Sequence, residues 1–306
     1  MLKSSPPASS LVGNNAHGGI LDEFMSISAN GSVVSDRGQI FSLEWLLHPV
    51  TTAEFRRAYW ESEPLWISRN NPDFFRGLPG LDDVDELITS TTSGRERGAV
   101  GDGRIVRTDD VGTLSERPFG LDSNGIPDIQ DIYSAYHGGY TIVVNHLHRR
   151  SAAVARLCRG LEASLHHPVG ANLYLTPQNA QGFRPHVDTH DVFILQLHSE
   201  KFWHVARPSY PLPLATWKHG TMRSLPDARE YKLKPGDVFY LPRGCPHDAI
   251  TAEGSSLHLT VGVNVFRWID FFLEAATLAP RRSADGRPVR YGAAGTREGT
   301  SRQGAS

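Results

Sequence analysis

The stretch RPHVDTHDVFILQL, residues 184–197, places four side chains that could bind a metal ion or move a proton within six positions. They are His186, Asp188, His190 and Asp191. In an extended strand, alternate side chains point to the same face, so the first three would share a face and Asp191 would lie on the other. Three side chains in a row along one strand face can hardly surround an ion. We therefore expect a further ligand from a distant part of the chain.

A histidine further along the chain is the candidate for that ligand. In LKPGDVFYLPRGCPHDAI, the turn residues 235–237 precede a short apolar run, and a second turn, 242–244, leads to His247. This second turn can direct His247 back toward His186 and Asp188 in a closed sheet. Two imidazoles and one carboxylate, with coordination positions left open, suit Fe(II) and oxygen chemistry. The same ligands suit Mn, Co or Ni, so the identity of the metal stays open.

The elements that must position these residues change in character near residue 171. Before it, the stretches TTAEFRRAYWESEPL, DIQDIYSAYHGG and SAAVARLCRGLEASLHH show the capping residues and apolar periodicity typical of helices. After it, short apolar or alternating runs punctuated by Pro and Gly predict closely spaced strands, which indicates an all-β barrel or sandwich. A last helix is predicted for RWIDFFLEAATLA.

These patterns predict a domain organisation with four parts. We expect a helix-rich N-terminal part at 36–170 that supports a β core, with its closing helix, at 171–280. The ends, 1–35 and 281–306, are rich in small and polar residues without an apolar period, so we expect disordered tails. The fold class is therefore mainly β with helices.

The composition of the chain limits the partners and the cellular compartment that can be expected. The chain has 306 residues and a formal net charge of −2, which gives no electrostatic reason to expect nucleic acid or a membrane surface as a partner. Two cysteines, Cys158 and Cys245, are too few for a fold held by disulfides and fit a reducing compartment. No apolar run approaches the roughly 20 residues of a membrane-spanning helix, and the start lacks the apolar segment of a secretory signal. We expect a soluble, cytoplasmic protein.

Together, these motifs resemble the JmjC-type cupin oxygenases, and among them the ribosomal oxygenases, which hydroxylate protein residues. The matching stretches are NLYLTPQNAQGFRPHVDTHDVFILQLHSEKFWHV, GDVFYLPRGCPHDA and SSLHLTV, with LLHPVTTAEFRRAYWESEPLWISR and GGYTIVVNHLH upstream. The resemblance covers residues 40–275. It implies a double-stranded β-helix, or jelly roll, and a reaction that uses Fe(II), 2-oxoglutarate and O2.

The resemblance also implies roles for individual residues. It assigns three catalytic iron ligands, which are His186, Asp188 and His247. Lys201 stands where the family binds the distal carboxylate of 2-oxoglutarate, and a lysine ammonium inside a barrel can pair with a carboxylate that would otherwise be buried alone. Asn172 and Tyr174 match polar residues of the family that face the co-substrate.

Two departures from the family pattern are visible. The family often has a serine after its HLT-apolar run, where this chain has Gly262, so one hydrogen bond to the co-substrate would be missing or replaced by water. Ribosomal oxygenases continue into dimerising helices and a winged-helix domain, which we do not expect here because ordered-looking sequence ends near Pro280. The oligomeric state therefore stays open, with a homodimer as one alternative.

Four residues near the candidate ligands could have supporting roles, and for two of them the sequence leaves alternatives open. We expect His190 to hold a ligand in place by hydrogen bonding, and Asp191 to be a structural partner or a substrate contact. His258 alternates with apolar residues and is either a core histidine or a residue of the pocket. Cys245 is expected to pack in the core.

Three functions compete. The leading one is an Fe(II)- and 2-oxoglutarate-dependent hydroxylase that acts on an amino-acid side chain of a protein, a peptide or a carrier-bound amino acid. The second is a cupin metalloenzyme that does not use 2-oxoglutarate, such as a small-molecule dioxygenase or isomerase, which would have no need of Lys201. The third is a non-catalytic binding module, against which the intact ligand set argues.

Overall fold

The computed structural model describes residues 33–34, 40–91, 101–208, 210–214, 217 and 222–278. By its internal contacts the chain divides into two units, Met1–Val265 and Phe266–Ser306.

Within the described ranges the strands are β1 (Val33–Val34), β2 (Ile40–Phe41), β3 (Leu65–Ile67), β4 (Gly103–Thr108), β5 (Leu114–Pro118), β6 (Thr141–Val144), β7 (Val169–Thr176), β8 (His186–Val187), β9 (Asp191–His198), β10 (Lys201–Val205), β11 (Arg229–Leu233), β12 (Val238–Leu241), β13 (Pro246–Ile250) and β14 (Ser256–Val263). The helices are α1 (Leu43–Leu47), α2 (Thr52–Ala58), α3 (Val84–Thr89), α4 (Ile129–His137), α5 (Ala152–Leu165) and α6 (Trp268–Leu278). The predicted tails lie outside the described residues, apart from β1.

An eight-stranded antiparallel sheet forms the larger wall of the first unit. Its order is β3-β12-β9-β14-β7-β6-β4-β5. One face of this sheet packs on helices, because apolar side chains of its central strands share a buried cluster with apolar side chains of α2 and α5. Representative members of the cluster are Phe55, Leu161, Leu173, Leu195 and Val261.

A four-stranded antiparallel sheet, ordered β11-β10-β13-β8, faces the other side of the large sheet. The layer between the two sheets contains apolar residues from both, which include Ile194 and Phe239 of the large sheet and Trp203, Val205 and Leu233 of the small one. Two antiparallel sheets around one apolar layer are the architecture of a jelly roll. The predicted fold class is therefore confirmed, with helices in the N-terminal part.

The longest helix of the first unit, α5, shows why the N-terminal helices form. Ser151 caps it by accepting a hydrogen bond from the backbone N–H of Val154. Leu157, Leu161 and Leu165 complete a stripe at helical spacing with Val154, and all four side chains are buried. The helical stripe predicted from the sequence is confirmed.

The helix α2 begins as predicted but ends earlier. Thr51 accepts a hydrogen bond from the backbone N–H of Glu54, as a capping residue does. In the sequence, Pro64 predicts the end of this helix, but the helix stops at Ala58. Beyond that end, Glu61 takes a left-handed backbone conformation (φ 55°) and donates its backbone N–H to the hydroxyl of Tyr240.

The second unit contains the predicted last helix, α6. Its apolar side chains Trp268, Phe271 and Phe272 are exposed to solvent. Across the described ranges, no helix is both long enough and apolar enough for a membrane crossing.

Candidate active site

His186, Asp188 and His247 come together although the chain separates them. The strand β8 begins at His186, which lies directly opposite His247 of β13 in an antiparallel pair. Asp188 follows β8 at once. One ligand atom from each residue lies within 4.8 Å of those of the other two, and Nε2 of His247 is 3.7 Å from Oδ2 of Asp188. The structure thus brings together the three residues that the resemblance assigns.

The two imidazoles present the same ring nitrogen to this cluster. Nδ1 of His186 lies 2.9 Å from the carbonyl oxygen of Arg184, and Nδ1 of His247 lies 2.9 Å from that of Cys245. A ring that donates its Nδ1–H to a carbonyl leaves Nε2 as the free lone pair. Burial is the main cause and the neighbouring His186 the second cause that lower the pKa of His247 to about 4. Both features favour the neutral ring that binds metals, so the donor set fits a divalent transition metal.

The turn before His247 is held by a hydrogen bond to the candidate ligand Asp188. Gly244 donates its backbone N–H to the backbone carbonyl of Asp188 at 2.9 Å. Gly244 has φ 93°, and a Cβ atom at this position would lie 2.8 Å from Cδ of Pro213. Only glycine combines this backbone conformation with so close an approach. The backbone hydrogen bond therefore couples the turn that leads to His247 to the segment that carries Asp188.

Asp191 is buried beneath the same turn. Nη1 of Arg243 donates to Oδ2 of Asp191 at 2.6 Å and also lies 2.5 Å from Oε1 of Glu61. The hydroxyl of Tyr240 donates to the other oxygen of Asp191 at 2.8 Å. Burial raises the pKa of Asp191, while Tyr240 and Arg243 oppose this. Of the two interpretations that the sequence left open for Asp191, the geometry favours a structural partner.

A cavity of about 250 Å³ lies beside the three candidate ligands. Lys201 of β10 points into it, is only 4 % exposed, and donates from Nζ to Oγ1 of Thr176 at 2.8 Å. Burial lowers the pKa of Lys201 to about 7. Among the described residues that line the cavity, Asp188 is the only carboxylate, so Lys201 has no anionic partner there. A buried lysine without a counter-ion is well suited to bind an anionic ligand.

Asn172 and Tyr174 lie on β7 and line the same cavity. The backbone N–H of His146 donates to Oδ1 of Asn172 at 3.0 Å, which fixes the orientation of this amide. The ring of Tyr174 stacks on that of His258, with centroids 4.8 Å apart. Burial, and then the charge of Lys201, lower the pKa of His258 well below its usual value. His258 is therefore a neutral residue of the cavity wall, one of the two interpretations left open above.

His190 and Cys245 do not join the three candidate ligands. The ring of His190 lines the cavity and lies against Gly262. Cys245 is buried in the apolar layer between the sheets.

The cavity also contains residues that sequence reasoning missed. Thr176 shares the alternation of Asn172 and Tyr174, so strand periodicity could have found it. Arg104 and Phe183 also line the cavity. Arg104 stands in no motif, because only the folded sheet brings its strand alongside the cavity. Phe183 lies three residues before His186, in a loop whose course the sequence does not indicate.

Comparison with known proteins identifies this region. The family model described as the JmjC domain matches residues 144–271, which include the three candidate ligands and Lys201. The chain is a JmjC-domain protein.

Relatives of this JmjC-domain protein carry related names. The chain is 31% identical over 245 residues to the "Bifunctional lysine-specific demethylase and histidyl-hydroxylase NO66" of Aedes aegypti, covering 77% of this chain and 36% of the relative. It is also 31% identical over 242 residues to "Ribosomal oxygenase 2" of Bos taurus, covering 76% of this chain and 49% of the relative. The chain thus spans between about a third and a half of the length of these two relatives.

A solved structure supports the JmjC fold. The Escherichia coli ribosomal oxygenase YcfD superposes with a TM-score of 0.51 at 19% sequence identity, covering 81% of this chain and 62% of that one. At this identity the likeness shows the fold alone.

Proposed function

We propose that the chain is an Fe(II)- and 2-oxoglutarate-dependent hydroxylase that acts on an amino-acid side chain of a protein, a peptide or a carrier-bound amino acid. One observation carries the proposal. The buried ammonium of Lys201, which has no anionic partner among the described lining residues, shares a cavity with a two-histidine, one-carboxylate cluster. Such a cavity offers one site for a metal and another for the carboxylate of a ligand.

His186, Asp188 and His247 would hold the iron. When bound, Fe(II) together with O2 and 2-oxoglutarate supplies an oxidation that converts a C–H bond of the target into C–OH and yields succinate and CO2. The chain's own residues would bind and orient the reactants. Asp188 contributes the single negative charge of the ligand set, and the neutral imidazoles complete it.

Lys201 would hold the distal carboxylate of 2-oxoglutarate. The Thr176 hydroxyl accepts one proton of the ammonium and so directs the group. Asn172 and Tyr174 would contact the co-substrate from β7, where the stacked ring of His258 fixes that of Tyr174. A rigid aromatic wall favours one orientation of the bound molecule and keeps water away from it.

The names of the relatives support a protein side chain as the target, since "lysine-specific demethylase", "histidyl-hydroxylase" and "Ribosomal oxygenase" appear among them. Cys158 and Cys245 are both free and buried, which fits a reducing compartment, and we propose the cytoplasm.

A cupin metalloenzyme without 2-oxoglutarate is the weaker alternative, because it would leave the buried charge of Lys201 without a function.

Succinate release tests the proposal. The chain is loaded with Fe(II) under anaerobic conditions and mixed with 2-oxoglutarate, air is admitted, and succinate is quantified. We expect succinate from the unchanged chain even without a target, through uncoupled turnover, and none from Asp188→Ala. The absence of both succinate and 2-oxoglutarate binding in the unchanged chain would reject the proposed function.

A further inference from the structure

Arg104 is a charged residue of the cavity wall to which the proposed function assigns no role, although it forms a side-chain hydrogen bond with Tyr174. It lies on β4 with a side chain that is 26 % exposed, and its Nη1 donates to Oε1 of Glu116 at 2.5 Å. The guanidinium carbon lies 5.2 Å from the centroid of the Phe183 ring. Nε is buried without a hydrogen-bond partner among the described residues. The ion pair and the ring contact together hold a positive charge at the cavity.

The walls of the cavity offer no carboxylate to a cationic target. Of the described lining residues, Asp188 alone is acidic, and it belongs to the metal cluster. Arg104 and Lys201 are the basic ones. A positively charged side chain that enters this cavity would lose water and meet like charge, with no counter-ion to compensate.

Aromatic faces could hold a cation in place of a carboxylate, as they do for methylated ammonium groups. Here the ring of Phe183 already has the cation of Arg104 near its face. Tyr174 is stacked on His258. Trp203 lies between two imidazoles, with ring centroids 6.0 Å from His247 and 5.5 Å from His258. The aromatic rings of the described wall are thus already engaged.

We infer that Arg104 is a specificity-determining residue that limits the target to side chains without a positive charge. The inference deepens the proposed function and rests on it, because it takes this cavity to be the place where the target side chain meets the metal centre. Arginine, lysine and methylated lysines are therefore disfavoured as targets. Glu116 moderates the effect, since it neutralises part of the charge of Arg104.

Peptide pools test the inference. Each pool has randomised flanking residues and one fixed central residue, either neutral (asparagine, histidine or leucine) or cationic (arginine, lysine or trimethyl-lysine). The first readout is retention of each pool on the immobilised full chain without iron or O2. The second is the mass increase of one oxygen atom at the central residue with Fe(II), 2-oxoglutarate and O2. We expect the neutral pools to exceed the cationic ones by about tenfold in both readouts.

Three substitutions make the test specific to Arg104. Arg104→Gln removes one of the two basic charges of the cavity wall and should lower the neutral-to-cationic ratio toward one. Glu116→Gln removes the neutralising partner and should increase the ratio. Arg117→Gln is the matched control, because Arg117 lies on the neighbouring strand and pairs with Asp131 at the surface, so the ratio should not change.

The outcomes separate the inference from the proposed function. Equal treatment of neutral and cationic pools by the unchanged chain, or a ratio that neither Arg104→Gln nor Glu116→Gln moves, would overturn the role of Arg104. Succinate formed by the unchanged chain without peptide reports on the proposed function alone. If no succinate forms and 2-oxoglutarate does not bind, that function is rejected, while the retention ratios still decide whether Arg104 selects by charge.

Discussion

The imidazole ring of His190 lies directly over Gly262. A Cβ atom on Gly262 would be 2.6 Å from Cδ2 and 2.9 Å from Nε2 of that ring. Strand alternation places Gly262 on the same face of β14 as His258 and Thr260, which line the cavity together with His190. The ring therefore occupies the space of the serine side chain that the family often has at this position. The position of the His190 ring therefore requires that residue 262 has no side chain.

We expect Gly262→Ala to displace His190 and disturb the cavity. The added Cβ overpacks the site, so the free energy of unfolding should fall by about 1–3 kcal/mol, and succinate formation should fall with it. Gly262→Ala combined with His190→Ala should recover most of the loss, because the smaller side chain makes room. Urea denaturation and succinate assays of the single and double variants measure both effects. A single variant as stable and as active as the unchanged chain would show that the ring moves away freely.

The ion pair of Asp191 and Arg243 should be essential for stability. Arg243→Ala leaves the fully buried carboxylate of Asp191 without its cation, and we expect a loss of about 3–5 kcal/mol in the free energy of unfolding. Asp191→Asn combined with Arg243→Met removes both charges and should recover part of this loss.

Arg117→Ala serves as the control for the buried pair. It breaks an exposed ion pair with Asp131 and should cost about 1 kcal/mol or less. Chemical denaturation compares these variants. Equal losses from Arg243→Ala and Arg117→Ala would contradict the structural role of the buried pair.

Lys201 should make the stability of the chain depend on pH. Burial lowers its pKa from 10.5 to about 7, so between these values the unfolded chain binds a proton that the folded chain has released. The contribution of Lys201 to the free energy of unfolding therefore rises with pH across this window.

Lys201→Met removes this pH dependence. At pH 7 and without 2-oxoglutarate, the variant should be more stable than the unchanged chain by roughly 2–4 kcal/mol, and the difference should shrink toward pH 10. Urea denaturation of both proteins at a series of pH values measures the difference. A difference that does not change with pH would show that Lys201 stays protonated in the folded chain.

The same lysine should separate co-substrate binding from metal binding. We expect Lys201→Ala to weaken 2-oxoglutarate binding while leaving metal binding nearly unchanged, because Lys201 is not one of the clustered ligands. Above pH 7 the free lysine must take up a proton to bind a carboxylate, so the affinity should fall with rising pH, by up to about tenfold per unit.

Lys201→Arg is the control for this experiment, since arginine stays charged and should remove the pH dependence. Titration calorimetry with Mn(II) in place of iron, in buffers of different ionisation enthalpy, measures the affinity and the proton uptake. Loss of metal and 2-oxoglutarate binding together in Lys201→Ala would show that its role lies elsewhere.

The sequence could predict those parts of the site in which residue type and spacing carry the chemistry. His186, Asp188 and His247 were candidates because imidazole and carboxylate side chains bind transition metals, and because the turn before His247 could bring it back to the other two. The burial stripe of α5 was readable because a long amphipathic helix repeats its signal over several turns.

Other features depended on pairings between distant strands. The part before residue 171 was predicted as helix-rich, yet β3–β6 also join the large sheet. Runs of three or four residues such as LWI or TIVV are too short for their periodicity to distinguish a strand from a helix. Arg104 enters the cavity because β4 pairs with β6 and β6 pairs with β7. A single arginine in a short strand gives no sign of this.

Isotope labelling tests the proposed chemistry most directly. The iron-loaded chain is supplied with 2-oxoglutarate under 18O2, and the succinate is analysed by mass spectrometry. If O2 is consumed in the decarboxylation of 2-oxoglutarate at the His186, Asp188 and His247 cluster, succinate should carry one 18O atom, and Asp188→Ala should form none. Unlabelled succinate, or equal amounts from the unchanged chain and Asp188→Ala, would contradict a 2-oxoglutarate-dependent oxygenase at this site.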